Sequence, residues 1–243
     1  MDYGQNTLFG TKIISTISYD EQEIIKDILF LHSNNNYIDC DPTYSIGNFY
    51  KKELVSPKYK FDKTPQCSVV IEATSDKLPL PSKSVKTIMF DPPFVISGQN
   101  YNDSKKGSGI ISKRFTAFKD FDELKTMYSN SLKEFYRILC LDGIVIFKCQ
   151  DVVSGGLNLF SHCWIMYEAI KHGFYPKDLF ILLAKNRITD GRKQQHARKF
   201  HSYFWVFKKT KCKVDYKSFF EVREVKNETK PLQEVRTGAE GLV

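Results

Sequence analysis

Four short apolar runs, each closing on a carboxylate, constrain this chain more than any other feature. Tyr37–Asp41, Lys58–Asp62, Ser68–Glu72 and Lys86–Asp91 are five or six residues long and rich in β-branched or aromatic side chains. Runs of that length read as strands. Gly143–Lys148 is a fifth, apolar and β-branched enough to be buried on both faces. Leu179–Leu183 and His201–Phe207 are the sixth and seventh. Three amphipathic stretches accompany them. Residues 19–32 place Ile24, Ile25, Ile28, Leu29 and Leu31 at near-helical spacing. Residues 121–139 form the clearest helix, ended by Leu141-Asp142-Gly143, and His162–Lys171 form another, stopped at Gly173. Strands interleaved with helices predict one α/β domain with a mostly parallel sheet. The last two strands lack a helix between them and are expected to form a long antiparallel hairpin at one edge. The domain is expected to span residues 1–209. Residues 210–243, mixed in charge and poor in apolar clusters, are expected to be a partly ordered or mobile extension.

Composition removes several function classes. A chain of 243 residues with 42% hydrophobic and 14% aromatic side chains can bury a core, which excludes a disordered protein. No apolar run reaches the roughly 18–20 residues of a membrane span, and the start, MDYGQNTLFGTK, lacks the apolar stretch of a signal peptide. Six cysteines, at 40, 67, 140, 149, 163 and 212, form no CxxC pair. They are read as reduced core residues of a cytoplasmic protein, with neither a disulfide framework nor a metal site. The net charge of +8 calls for an anionic partner, nucleic acid foremost.

Ligands of an open parallel sheet bind at the carboxyl ends of its strands. The turn Asp41-Pro-Thr-Tyr-Ser-Ile-Gly47 sits at the first such end, and its small residues let backbone amides approach a ligand. Taken alone, it serves equally as an ordinary strand-to-loop turn. Asp62 follows 21 residues later at the end of the next strand. That is close to the spacing of about 20 residues at which a carboxylate takes the hydroxyls of a bound nucleoside. A solvated strand-end Asp is the plainer alternative. Asp91-Pro92-Pro93-Phe94 decides between these readings. Two prolines remove two N–H donors and stiffen the backbone. Carbonyls fixed beside a carboxylate make an acceptor pair for the two N–H groups of a planar amine, and Phe94 offers a face for the attached ring.

Asp91-Pro92-Pro93-Phe94 resembles the [DNS]-P-P-[YFW] signature of the amino-group DNA methyltransferases that use S-adenosyl-L-methionine, acting on adenine N6 or cytosine N4. Asp41-Pro-Thr-Tyr-Ser-Ile-Gly47 is similar to that family's first cofactor motif, D-P-F-x-G-x-G. Glu72-Ala73 followed by Leu78-Pro-Leu80 is similar to its D-A-x-x-L-P run. The resemblance covers about residues 37–208 and implies a Rossmann-like, seven-stranded methyltransferase sheet. It implies that Asp41, Thr43, Tyr44, Ser45 and Gly47 hold the methionine end of the cofactor, with Asp62 at the ribose and Glu72 and Ala73 at the adenine. Asp91 and the carbonyl of Pro92 or Pro93 would hold the target amine, with Phe94 stacked on the base. Ser45 stands where the first loop glycine usually sits, so a looser cofactor loop is expected.

An exocyclic base amine is a poor nucleophile because its lone pair is delocalised into the ring. Two acceptors on its N–H groups return electron density to nitrogen, and alignment for in-line attack can be worth up to about 7–11 kcal/mol. Asp91 would act as an electrostatic holder rather than a strong base. Reaching an amine in duplex DNA requires flipping the base out. No recognition domain of about 100 residues is present, so target contacts fall to short basic segments, or to a protein partner or second copy. Val95–Lys119 carries Lys105, Lys106, Lys113 and Arg114; Lys185–His201 carries Arg187, Arg192, Lys193, Arg198 and Lys199. Phosphate contact is their natural role. The expectation is a DNA adenine-N6 methyltransferase, with an RNA base-amine methyltransferase or a silent nucleic-acid-binding subunit as alternatives.

Overall fold

A computed structural model describes residues 7–8, 11–33, 35–96, 118–185 and 196–211. In chain order the elements are β1 (Thr7–Leu8), β2 (Thr11–Lys12), β3 (Ile17–Ser18), α1 (Glu21–His32), β4 (Cys40–Asp41), β5 (Tyr59–Asp62) and β6 (Ile71–Glu72). They continue with β7 (Val85–Phe90), α2 (Phe121–Ile138), β8 (Leu139–Cys149), β9 (Val152–Ser154), β10 (Leu157–Leu159), α3 (Ser161–Lys171), β11 (Phe174–Leu183) and β12 (His201–Lys209). Eight strands form one sheet in the order β3-β11-β12-β8-β7-β4-β5-β6. Only β12 runs antiparallel to its neighbours; every other pair is parallel. β1 with β2 and β9 with β10 make separate two-stranded ribbons.

The sheet is covered by helices on both faces, and the period-two alternation of β7 and β8 divides the core. Ile88, Phe90, Val145 and Phe147 meet Leu124, Tyr128, Leu132 and Phe135 of α2. Met89, Ile144 and Ile146 meet Ile24, Ile25 and Ile28 of α1 on the opposite face. Phe90 packs edge-on against Phe135 at 4.8 Å and Phe147 at 4.9 Å. Such pairs add about 0.5–1.5 kcal/mol each beyond area burial. Asp20 caps α1 by accepting from Gln22 N at 2.8 Å, and Asp120 caps α2 by accepting from Glu123 N at 2.9 Å. Residues 42–84 connect β4, β5, β6 and β7 with no α-helix, only a 3-10 turn at Asn48–Tyr50.

The mostly parallel α/β sheet and its antiparallel hairpin agree with the sequence reading, while the strand count is eight instead of seven. The added strand, β3, has only two residues, too few to show a period, and lies parallel to β11. The hairpin therefore does not form the outer edge, and β12 sits inside the sheet. The third predicted strand shortens to Ile71–Glu72. α2 ends at Ile138, and Leu141–Gly143, read as its stop, already belongs to β8, as does Leu139, read as its last residue. Lys209, the last residue of β12, is buried despite its charge. Its ammonium donates to Tyr136 O at 2.5 Å and Leu139 O at 2.8 Å, satisfying carbonyls at the end of α2. Of the cysteines, Cys40 and Cys149 are buried as expected, whereas Cys163 is exposed. Among the described residues no helix is long and apolar enough to cross a membrane. Residues 212–243, most of the predicted extension, lie outside the described residues.

β8 enters the sheet through a tight irregularity, with Asp142 at φ 63°. A Cβ on Gly143 would lie 2.1 Å from Leu139 Cδ2 and 2.8 Å from the backbone oxygen of Lys86. Gly143→Ala is expected to destabilise the protein by about 1–3 kcal/mol, measured as a lower urea midpoint at unchanged slope.

Candidate active site

The carboxyl ends of β4, β5 and β7 lie side by side because the three strands are parallel neighbours, with Cys40 opposite both Ile88 and Tyr59. Each strand therefore delivers its terminal carboxylate, Asp41, Asp62 or Asp91, to the same edge of the sheet. β6 adds Glu72 opposite Asp62.

Asp41 is buried. Its Oδ1 accepts from Thr43 N at 2.8 Å and Thr43 Oγ1 at 3.2 Å, and its Oδ2 accepts from Tyr50 OH at 2.8 Å. Burial pushes its carboxyl up to about 7 despite these three donors, and the nearby charge of Asp91 adds to the rise. The following loop doubles back on itself. Tyr44 N donates to Phe61 O at 3.0 Å, and Ser45 N donates to Asp62 Oδ2 at 2.9 Å. Asp62 Oδ1 accepts from Thr64 N at 2.8 Å. Ser45 sits at φ 51°, so the position the resemblance fills with glycine does require the left-handed region. Gly47 is also left-handed, and a Cβ there would lie 2.5 Å from the Tyr44 hydroxyl oxygen. Tyr44 instead stacks on Tyr50 at 5.4 Å, which carries the donor to Asp41.

Asp91 begins the proline corner. Its backbone N–H donates to Thr43 Oγ1 at 2.9 Å, so one hydroxyl joins the Asp41 loop to the corner. Lys148 Nζ reaches Asp91 Oδ2 at 3.3 Å and Glu21 Oε1 at 2.6 Å. Burial raises the Asp91 carboxyl, and the Lys148 charge opposes that rise. Pro92 is buried, and Pro93 and Phe94 are half-buried. Pro93 O accepts from Tyr128 OH at 2.9 Å, tying the corner to α2. Glu72 is exposed, and Ala73 N donates to Asp62 O at 3.1 Å.

Sequence reasoning missed Glu21, Tyr50, Tyr128 and Lys148. Lys148 alone had a visible signal, as a charge closing an otherwise apolar strand. At the end of β8, Asp151 is buried and its Oδ1 lies 2.7 Å from His162 Nδ1. Burial would raise this carboxyl, but the His162 contacts hold it below the usual carboxylate range. His162 stacks on Tyr203 at 4.2 Å, and Gln150 Nε2 donates to His201 O at 2.8 Å. Of the predicted basic contacts, Arg198 is exposed and Lys199 half-buried just before β12. Lys105, Lys106, Lys113, Arg114, Arg187, Arg192 and Lys193 lie outside the described residues. Among the described residues no cluster of three or more His, Cys, Asp or Glu could hold a metal ion.

The chain is similar in structure to several methyltransferases. A protein described as a DNA modification methylase from Thermus thermophilus superposes with a TM-score of 0.41 and 16% identity, covering 57% of this chain and 51% of that one. The PvuII DNA methyltransferase, cytosine-N4-specific, gives a TM-score of 0.43 and 17% identity over 57% and 48%. The Thermus protein in complex with S-adenosyl-L-methionine gives 0.38 and 17% over 54% and 50%. This chain thus spans about half the length of these structures. No curated protein sequence matches it. Its sequence matches the N6/N4 methylase family, described as DNA methylase, over residues 85–240. The match starts at β7 and includes the proline corner, while Asp41, Asp62 and Glu72 precede it. On that match, which covers more than half of its residues, the chain belongs to the N6/N4 DNA methylase family.

Proposed function

We propose that this chain transfers a methyl group from S-adenosyl-L-methionine to an exocyclic amine of a DNA base, N6 of adenine. The observation that carries the reading is the corner at the end of β7. The Asp91 carboxylate and a proline carbonyl stand there on a backbone that two ring constraints keep extended. Tyr128 engages one of the two lone pairs of Pro93 O, and Pro92 O is the carbonyl we assign to the amine. Phe94 supports the ring, and a purine offers it the larger stacking face.

The Asp41 side suits the cofactor. A buried carboxyl raised to about 7 is costly to ionise, and a cationic ligand relieves that cost. Bound there, the cofactor supplies an electrophilic methyl on a positively charged sulfur. Asp41 and the Thr43–Gly47 turn hold its amino-acid end, Asp62 takes the ribose hydroxyls, and Glu72 with Ala73 takes the adenine. Asp91 and Pro92 orient the target lone pair, and their negative ends favour the positive charge developing on nitrogen. Arg198 and Lys199, with the basic residues of 97–117 and 186–195, contact DNA phosphates.

Labelled methyl transfer tests the reading. Incorporation into DNA is expected, recovered after digestion as N6-methyladenine and abolished in Asp91→Ala with cofactor binding retained. Label only in N4-methylcytosine would move the target, and label only in RNA would overturn the DNA assignment.

Three further outcomes follow from the cofactor side. Asp62→Ala is expected to weaken cofactor binding about 10- to 100-fold, equivalent to about 1.5–3 kcal/mol, read by calorimetry. Between about pH 4 and pH 7 the folded protein holds an Asp41 proton that the unfolded chain has lost. Its contribution to stability therefore falls as pH rises through that window. Cofactor affinity should instead climb toward pH 7 and level off above it, and Asp41→Asn should flatten that climb. Thr43→Val removes the hydroxyl shared by Asp41 and Asp91, and should lower stability by about 1–3 kcal/mol in thermal melts.

A further inference from the structure

β7 and β8 are parallel and in register, with Phe90 opposite Phe147. Both rings turn toward α2. The next residue on each strand, Asp91 or Lys148, therefore turns to the other face, where α1 starts at Glu21. Three charges meet there, with side chains 27%, 17% and 32% exposed for Asp91, Lys148 and Glu21. Phe49 and Phe204 flank the ammonium at 5.1 and 5.7 Å from their ring centres, which narrows its lateral freedom. A lysine sharing its protons between two carboxylates holds both in place.

We propose that Lys148 is the positioning residue for Asp91, and that Glu21 is the counter-ion that sets how tightly Lys148 holds it. This rests on the methyl-transfer reading. Lys148 engages Oδ2 of Asp91, which fixes the plane of the carboxylate and assigns Oδ1 to the target amine. Its charge also favours the ionised form of Asp91. Burial, first, and the negative charge of Glu21 both favour the protonated acid, which could offer a proton where the amine needs an acceptor. Tyr128 and Cys149 also feel the charge of Asp91, and burial pushes both well above their ordinary values, so they stay neutral. Lys148 itself remains charged: burial works against it, but Asp91 and Glu21 more than offset that. In the transfer the nitrogen–methyl bond forms as the carbon–sulfur bond breaks. The nitrogen then sheds one of its two original protons, past Asp91 Oδ1, to water. A carboxylate beside an ammonium is a weak base, so Lys148 makes Asp91 a holder more than a proton sink.

The test reads Asp91 directly. Full-length protein carrying carboxyl-13C aspartate is titrated by NMR, with the Asp91 signal assigned through Asp91→Asn. Lys148→Met is expected to move its midpoint up by about one pH unit or more, and Glu21→Gln to move it down. Lys148→Arg should stay near the wild type. The acid limb of the transfer rate should shift the same way in each variant, with cofactor KM within about threefold of wild type. A role in packing alone would give no such opposed shifts. An Asp91 midpoint that moves in neither Lys148→Met nor Glu21→Gln overturns the proposal. Should Lys148→Met fail to fold, an unmoved midpoint in Glu21→Gln overturns it alone. Wild-type protein that methylates no nucleic acid would refute the function instead, while the titration still decides the coupling of Lys148 to Asp91.

Discussion

Two carboxylates at the ends of neighbouring parallel strands repel each other, and the candidate site depends on how the fold keeps them together. Asp41 and Asp91 are brought to one edge by the pairing of β4 with β7. The Thr43 hydroxyl donates to the first and accepts from the backbone of the second. Tyr50 adds a donor on one side, and Lys148 adds a charge on the other. Removing like charges from water costs free energy unless each finds partners. Here the partners come from a loop, a 3-10 turn, an adjacent strand and the first residue of a helix. That distribution makes the site a property of the whole sheet edge.

Legibility in the sequence followed the range of the interaction. The proline corner was readable because its stiffness is local: two ring constraints after an apolar strand leave few conformations. Asp41, Asp62 and Glu72 were readable because strand length and parallel order place strand ends together. Lys148 was visible as a residue type in β8, but its role depends on the β7–β8 register, which the sequence does not display. Glu21 and Tyr128 are contacts across more than 30 residues of chain, and no spacing announces them. The two-residue strand β3 and the buried Lys209 were missed for the same reason, since both are defined by what they pack against.

The serine at position 45 shows why a motif should be read through its backbone. A glycine is expected there because the turn needs a positive φ, and Ser45 adopts that geometry at 51°. Its N–H still reaches Asp62. Ser45 thus holds a backbone conformation that glycine adopts more readily, with the cost of a left-handed serine borne by the surrounding bonds.

Ile96 and Phe118 form a parallel bridge, and Phe118 N donates to Val95 O at 2.9 Å, immediately after the proline corner. The two roots of the basic excursion are therefore stitched to each other at its base. Closure entropy grows only slowly with the length of such an excursion. The sequence and length of residues 97–117 can thus vary at little cost to the proline corner, which, on the proposed function, separates the choice of nucleic-acid target from the chemistry beside it.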